Sequence, residues 1–217
     1  MNEAHHTLTR TRTRPRPSVG VLRGAPFEVL APGWLRTTRL LLRPLGLSDR
    51  KAFLRAVRLS RVDLDTHHPL HQQHETDEQL FARQVRMASQ GEAQGTAWRR
   101  AAFLEDGRLA GCFNLGAISR GLEFSAQASW WVSADCRGRG LACEGVQAML
   151  DLALDPAPRG LGLFTVRASI APGHHASRTI ACRAGMRRTP ERVYLSVQGV
   201  QSPHDVFVRT VEPITGC

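Results

Sequence analysis

A short segment rich in glycine and arginine, residues 137–142 (RGRGLA), carries the strongest chemical signal in the sequence. Gly138 and Gly140 let the backbone approach a bulky ligand and adopt positive φ angles. Arg137 and Arg139 add positive charge. A helix that begins directly afterwards offers unpaired N–H groups and the positive end of its dipole. Together these features predict a binding site for a pyrophosphate group.

Two familiar phosphate-binding motifs do not fit this segment. No G-K-[ST] follows it, as a P-loop requires, and the G-x-G-x-x-G order of a dinucleotide fingerprint is missing. The segment instead lies between a strand that ends at Trp130-Trp131-Val132 and a helix over 140–154 with apolar residues at helical spacing. Pro156 and Pro158 stop that helix. A strand, a glycine loop and a helix N-terminus are therefore expected to position the site.

The remaining elements are predicted from hydrophobic period, caps and turn signals. Asp106-Gly107 is a strong hairpin signal between two of the strands. Strands are expected at 35–45, 97–104, 109–118, 124–132, 163–170, 192–200 and 205–211, and helices at 48–60, from Thr76, at 140–154 and at 174–184. This order, β-α-α-β-β-β-α-β-α-β-β, predicts an α/β domain with a single mixed sheet.

Composition divides the chain in two. Residues 1–33 are rich in Arg and Pro, hold five Arg against Glu3 and Glu28, and are predicted to be a disordered basic tail. Residues 34–217 are predicted to form the folded domain. The net charge is +10, of which +7 belongs to that domain. Such a surface favours anionic partners, among them coenzyme A and, non-specifically, nucleic acid.

Several classes of protein and site are excluded. The five cysteines are odd in number and show no C-x-x-C spacing, which argues against a disulfide framework and a zinc site. Reduced thiols, the lack of an 18-residue apolar run and the lack of a secretory apolar region predict a cytoplasmic protein with no membrane partner. The histidine-rich stretch 67–74 (HHPLHQQH) is expected to be a solvated loop rather than a metal site.

Several motifs in order resemble one family. Arg137, Gly140 and Ala142 form R-x-x-G-x-A, which is similar to the acetyl-CoA motif of the GNAT N-acetyltransferases. The resemblance extends over 35–211 and includes the T-x-R-L-x-L-R-x-L pattern of 37–45 and the stretch 171–185, similar to P-x-N-x-x-S…G-F. Residues 114–121 and 137–145 resemble the branch that acetylates the N-termini of ribosomal proteins.

The resemblance implies a GNAT-like fold, a mixed splayed sheet flanked by helices, with acetyl-CoA as co-substrate and no metal. The pantetheine arm would lie between residues 128–132 and 163–170 as an added strand would. The backbone of Trp131 and Val132 would hold the acetyl carbonyl. The residues expected to bind acetyl-CoA are Trp131, Val132, Arg137, Gly138, Arg139, Gly140, Leu141, Ala142, His174 and Ser177.

The reaction implied is direct attack of an amine on the thioester, for which a base must first remove a proton. Glu123 is the candidate base, and His174 and His175 are alternatives. Glu144, one turn into the helix, fits a structural role better than a catalytic one. Ser177 is the nearest hydroxyl that could protonate the leaving thiolate, and a hydrogen bond within its helical turn is the alternative role.

Three positions depart from the family pattern. His174 stands where the family usually has Asn, and Ala181 stands where many members have the Tyr that protonates the thiolate. Tyr194 is the only tyrosine in the chain. Met186 replaces the usual Phe and is expected to be a core residue.

The favoured acceptor is a protein N-terminal amine. The alternatives are a small amine (an antibiotic, a polyamine or an amino acid) and a non-catalytic acyl-CoA-binding or nucleic-acid-binding module. By resemblance, the stretch 67–74 adjoins the acceptor groove and could gate the acceptor. A homodimer is compatible with this interpretation.

Overall fold

The computed structural model describes residues 27–31, 33–197 and 199–211, and within these residues nine strands form one sheet. The strands are β1 (Glu28–Ala31), β2 (Trp34–Arg36), β3 (Leu41–Arg43), β4 (Trp98–Phe103), β5 (Leu109–Ser119), β6 (Ser125–Val132), β7 (Thr165–Ile170), β8 (Arg187–Val197) and β9 (Val200–Thr210). Their order is β1-β2-β3-β4-β5-β6-β7-β9-β8. Every neighbouring pair is antiparallel except β6 and β7, which are parallel.

Five α-helices cover the two faces of the sheet in the described part of the chain. They are α1 (Arg50–Leu59), α2 (Arg61–His67), α3 (Asp77–Ala93), α4 (Leu141–Leu154) and α5 (His175–Arg183). The first three pack on one face around Phe53, Leu80 and Trp131. The last two pack on the other face around Phe113 and Met149. Two apolar layers thus enclose the central strands, which holds the ends of β6 and β7 in place.

Local sequence accounts for several of these boundaries. At the start of α3, Thr76 Oγ1 accepts the Gln79 backbone N–H at 3.2 Å, while the Gln79 side chain accepts the Thr76 N–H at 2.9 Å. This reciprocal arrangement is a capping box. Gly107, at φ +80°, makes the turn between β4 and β5 as the Asp-Gly signal predicted.

The structure corrects three predictions about elements. The single strand expected at 35–45 is two strands, β2 and β3, joined by a turn in which the Thr37 N–H donates to the Leu40 carbonyl. Helix α2 was not expected. Residues 28–31, assigned to the tail, form β1 and pair with β2, so the folded domain begins before residue 34. Residues 1–26 and 32 of the predicted tail lie outside the described residues.

Among the described residues, no helix combines the length and apolar character needed to cross a membrane.

Candidate active site

The parallel pair β6–β7 is joined over only three residue pairs, from Ser125↔Thr165 to Gln127↔Arg167. Beyond these pairs, β6 stays paired only with β5, and β7 only with β9. The two strands therefore diverge towards their carboxyl ends. The opening between them is the splay that the resemblance implied, and an extended ligand can enter it as an added strand would.

The backbone of β6 presents alternate residues to this opening. The Ser133 N–H donates to the Ala110 carbonyl at 2.8 Å, which turns Ser133 towards β5. Since backbone polar groups alternate sides along an antiparallel strand, Trp131 also faces β5, while Trp130 and Val132 face the opening. This corrects one expectation: Val132 is placed to bond a ligand in the splay, but its partner there is Trp130 rather than Trp131.

The two tryptophans also send their side chains to opposite faces. Trp131 packs edge-on against Phe53 of α1, with ring centroids 6.3 Å apart, and is 6% exposed. The Trp130 ring packs on the other face, and its buried indole N–H has no hydrogen-bond partner among the described residues. Trp131 is therefore a core residue, and Trp130 brings a free donor to the edge of the opening.

The loop after β6 turns the chain into α4 through two glycines. Gly138 has φ +70° and Gly140 has φ +76°, conformations that residues with a Cβ rarely adopt. Gly140 is the N-cap of α4, and no side chain caps it. The first N–H groups of α4 are thus available to a ligand anion, with Arg137 and Arg139 on the same loop.

Glu144 braces this loop rather than facing the opening. Its carboxylate accepts hydrogen bonds from Thr37 Oγ1 (2.6 Å), the Arg39 N–H (2.8 Å) and Arg39 Nε (2.7 Å). Arg39 in turn donates to the Arg139 carbonyl at 2.7 Å. Because its oxygens are engaged by these donors, Glu144 ties the β2–β3 turn to α4 and has the structural role expected of it.

A cavity of about 350 Å³ lies between this loop, α2 and α5. Asp63 of α2 forms an ion pair with Arg137 across its mouth, and both side chains are 45% exposed. His67 and His68, at the end of α2, contribute to the same wall. A phosphate group in this cavity would compete with Asp63 for Arg137.

His174 and Ser177 form the α5 side of the cavity. The His174 ring stacks on His67 with centroids 4.1 Å apart and planes at 10°, and its Nε2 lies 3.4 Å from Ser177 Oγ. Burial, and after it the electrostatic influence of His67, His68 and Arg137 nearby, lowers the pKa of His174 to about 4. His174 is therefore a neutral imidazole at neutral pH.

Comparison with known proteins agrees with this geometry. The acetyltransferase (GNAT) domain family model matches residues 39–187, more than half of the chain. The chain belongs to the GNAT acetyltransferase family. Its members are acetyl-CoA-dependent N-acetyltransferases, so acetyl-CoA is the co-substrate of this protein. No curated protein sequence matches it.

Solved structures share this GNAT fold at low sequence identity. RimJ of Mycobacterium smegmatis, in complex with CoA-disulfide, is 20% identical with a TM-score of 0.70, covering 89% of each chain. The ribosomal-protein-S5-alanine acetyltransferase of Vibrio fischeri is 14% identical (TM-score 0.71; 82% of this chain, 97% of that one). The spermidine N-acetyltransferase of Vibrio cholerae, with CoA and spermine, is 15% identical (TM-score 0.63; 80% and 96%). The predicted GNAT-like splayed sheet is confirmed.

Glu123 is not brought to this GNAT site. It is exposed in the turn before β6, where the Ser125 hydroxyl lies 3.4 Å from its carboxylate. Eight residues separate it from Trp131, on the order of 25 Å along a strand at ~3.3 Å per residue. The structure thus contradicts the assignment of Glu123 as the base, since a base must lie within hydrogen-bond reach of the amine or one water away.

No tyrosine from elsewhere in the described structure occupies the position of the tyrosine that the GNAT pattern has at residue 181. Ala181 is fully buried between α5 and the core, and Tyr194 is 69% exposed on β8, outside the cavity. Met186 is a core residue, as expected. Ser177 is therefore the hydroxyl that the fold places at the cavity wall, beside His174.

The thiols of Cys112 and Cys136 are unreactive. Burial raises the pKa of Cys112 to about 12, and burial with the Asp135 carboxylate raises that of Cys136. Both remain protonated at neutral pH, which is the wrong state for an acyl carrier. Within the described residues, no group of three or more potential metal ligands occurs.

Sequence reasoning missed the contribution of α2 to the cavity. Only Val62 and Leu64 give this short helix an apolar signal, and Val62 is 82% exposed. Asp63, His67 and the following His68 line the cavity because α2 packs beside β6. The expectation of a solvated loop at 67–74 is wrong in part: His67 is exposed but is the last residue of α2, and His68 is partly buried at the cavity wall. The hypothesis that this stretch gates the acceptor stays a prediction.

Proposed function

We propose that the protein transfers the acetyl group of acetyl-CoA to the N-terminal amine of a protein. The observation that supports acetyl transfer is the β6–β7 splay, which opens beside an uncapped helix N-terminus and an arginine-bearing glycine loop. Acetyltransferases of ribosomal proteins are among the structures with the same fold. The family assignment favours this enzyme over the non-catalytic and nucleic-acid-binding alternatives.

The residues proposed to hold acetyl-CoA line the cavity between the glycine loop, α2 and α5, except Arg139, which lies on the loop but lines a neighbouring cavity beside the β2–β3 turn. The pyrophosphate would lie on the N–H groups at the start of α4, with Arg137 and Arg139 as counter-charges. The pantetheine arm would bond to the exposed backbone of Trp130 and Val132. His174 and Ser177 would border the arm near its sulfur. An N–H of Val132 aimed at the acetyl oxygen would stabilise the oxyanion that forms.

In the proposed reaction, the amine nitrogen forms a bond to the acetyl carbon as the carbon–sulfur bond breaks. The amine must arrive uncharged, and the departing thiolate must gain a proton. Ser177 Oγ, 3.4 Å from Nε2 of the neutral His174, is the proposed donor of that proton to sulfur. The proton that the nitrogen loses as the amide forms would return to Ser177 Oγ through water or His174, so the net transfer is from nitrogen to sulfur. Alignment of amine and thioester in the splay would supply much of the remaining rate enhancement.

The test uses acetyl-CoA with two matched peptides, one with a free N-terminus and one blocked there but carrying an internal lysine, and spermidine as a third acceptor. Free thiol release should occur with the first peptide, and mass spectrometry should place the acetyl group on its α-amine. Acetylation of spermidine or of the internal lysine alone would refute the proposed acceptor.

A loop variant tests the binding site. Gly140→Asp adds a Cβ at φ +76° and a negative charge, and should weaken acetyl-CoA binding by about 100-fold or more. Gly199→Asp is the matched control, because Gly199 has φ +80° in the β8–β9 turn with open space around it. Equal affinity of both variants in calorimetry would exclude this loop as the phosphate site.

A further inference from the structure

A second cavity, of about 270 Å³, lies beneath α3 on the face of the sheet that α1, α2 and α3 cover, and it adjoins the splay through His68 and Ser129. Three arginines line it and no carboxylate does. Two of them have partners: Arg83 pairs with Glu75 at 2.7 Å, and Arg100 pairs with Glu92 at 2.6 Å. The third, Arg99, is the exception.

Arg99 makes no side-chain hydrogen bond or ion pair with any residue in the described part of the chain. It is partly buried on β4, and burial lowers its pKa, with Arg83 adding to the effect and the Cys112 thiol opposing it. A guanidinium taken out of water without a counter-charge is unfavourable. An anionic group in the cavity would offset that penalty.

The strand register connects Arg99 to the reaction centre. Arg99 is paired with Asn114 of β5, and Asn114 with Ser129 of β6. Residues paired across adjacent strands point to the same face, so the three side chains form one polar row along the cavity. The row spans two strand spacings, about 10 Å, and ends at Ser129 in the opening between β6 and β7.

We propose that Arg99 binds a carboxylate of the acceptor. The acceptor would lie along this row, with the carboxylate at Arg99 and the reactive amine towards the opening at Ser129. This inference rests on the proposed function and names its substrate class: a protein N-terminus with an acidic side chain in its first few residues. A guanidinium can hold a carboxylate through two parallel hydrogen bonds, which fixes the direction in which the acceptor enters.

The charges around the opening disfavour a polycationic acceptor. Neither the cavity beneath α3 nor the one between the splayed strands is lined by Asp or Glu among the described residues. Asp63, in the cavity of the glycine loop, is already paired with Arg137. A polycationic amine would therefore find Arg99 in its path and no carboxylate to hold it.

The experiment measures kcat/KM for two peptides that differ only at the second residue, Ser-Asp-… and Ser-Asn-…, with the wild type, Arg99→Gln and Arg86→Gln. Arg86 is exposed on α3 outside the cavity, so its variant controls for the loss of one positive charge. Calorimetry with acetyl-CoA checks that each variant folds and binds the co-substrate. Free aspartate and glutamate are assayed alongside.

The wild type and Arg86→Gln should prefer the acidic peptide at least tenfold, and Arg99→Gln should lose that preference while keeping its rate on the neutral peptide. Arg99→Glu should reverse the preference towards a Ser-Lys-… peptide. A preference that survives in Arg99→Gln, or an active wild type with no preference, overturns the inference. Arg99-dependent acetylation of free acidic amino acids without any peptide acetylation would refute the proposed protein acceptor but would support Arg99 as the carboxylate site.

Discussion

His174 and His67 stack face to face at the wall of the acetyl-CoA cavity, one from α5 and the other from the end of α2. A second positive charge on such a stack is unfavourable, and so is a charge removed from water. His174 takes the position of an Asn in the family pattern. As a neutral ring it keeps what Asn offers, a donor and an acceptor in one side chain.

Stability should depend on pH through His174. Its pKa is about 4 in the fold against 6.5 ordinarily, so the unfolded chain binds a proton more readily. The neutral His174 ring therefore leaves the stability of the fold unchanged above pH 6.5, and its reluctance to bind a proton destabilises the fold as the pH falls from 6.5 towards 4. The free energy of unfolding should fall about 1–2 kcal/mol less in His174→Asn than in the wild type between pH 7 and pH 5.

Urea denaturation at the two pH values measures this difference. His175→Asn serves as the control, because His175 is the adjacent residue but is exposed. If the wild type and His174→Asn lose the same stability, then the stacked pair with His68 and Arg137 beside it does not exclude the proton.

Residue type alone does not show which carboxylate is structural and which could act as a base. Glu144 and Glu123 both lie near the loop in sequence. The structural role of Glu144 was expected from its place in the first turn of α4, but only three-dimensional position shows that Glu123 is at the far end of β6. The glycine loop was predictable because its conformation and charge are local properties. The role of Arg99 was not predictable, because it depends on the lack of a side-chain partner among the described residues of the other strands and helices.

At the scale of elements, α4 fixes the loop because it packs directly on the sheet. An added Cβ on Gly145 would lie 2.3–2.6 Å from ring carbons of Phe113, which is fully buried. Gly145→Ala should lower the free energy of unfolding by about 1–3 kcal/mol, although alanine favours a helix by about 1 kcal/mol. Acetyl-CoA affinity should fall severalfold because the first turn of α4 moves with the helix.

Chemical denaturation and calorimetry check both effects. Gly116→Ala is the matched control, since no atom lies within 4 Å of the Cβ it would add on β5. A stability of Gly145→Ala equal to or above that of the wild type would show that the Phe113 ring gives way and that this contact does not position α4.

Elements with a strong period or a clear turn were predicted well. The hairpin at Gly107, α4 and the strands on either side of the loop lie within a few residues of their expected bounds. α2 was missed because Ser60 alone separates it from α1 and its apolar pattern is short. The division of 35–45 into β2 and β3 depends on Thr37, whose side chain binds Glu144 over a hundred residues away. Such long-range contacts leave no local pattern.

At the scale of the whole molecule, the net charge of +10 should make acetyl-CoA binding depend on salt. The proposed site sets phosphates against Arg137 and Arg139, and salt screens such pairs because the Debye length is only about 10 Å at 0.1 M. The dissociation constant for acetyl-CoA should therefore rise about three- to tenfold between 50 mM and 300 mM KCl.

S-acetylpantetheine separates the loop from the splay. It keeps the arm that would bond to the backbone of Trp130 and Val132 but carries no phosphate, so its weaker binding should change little over the same range of salt. Calorimetric titration of both ligands gives the two dependences directly. Parallel salt curves would mean that the arginines of the loop contribute only through the overall field of the protein. Divergent curves would show that salt acts through the phosphates, as the proposed site at the N-terminus of α4 with Arg137 and Arg139 requires.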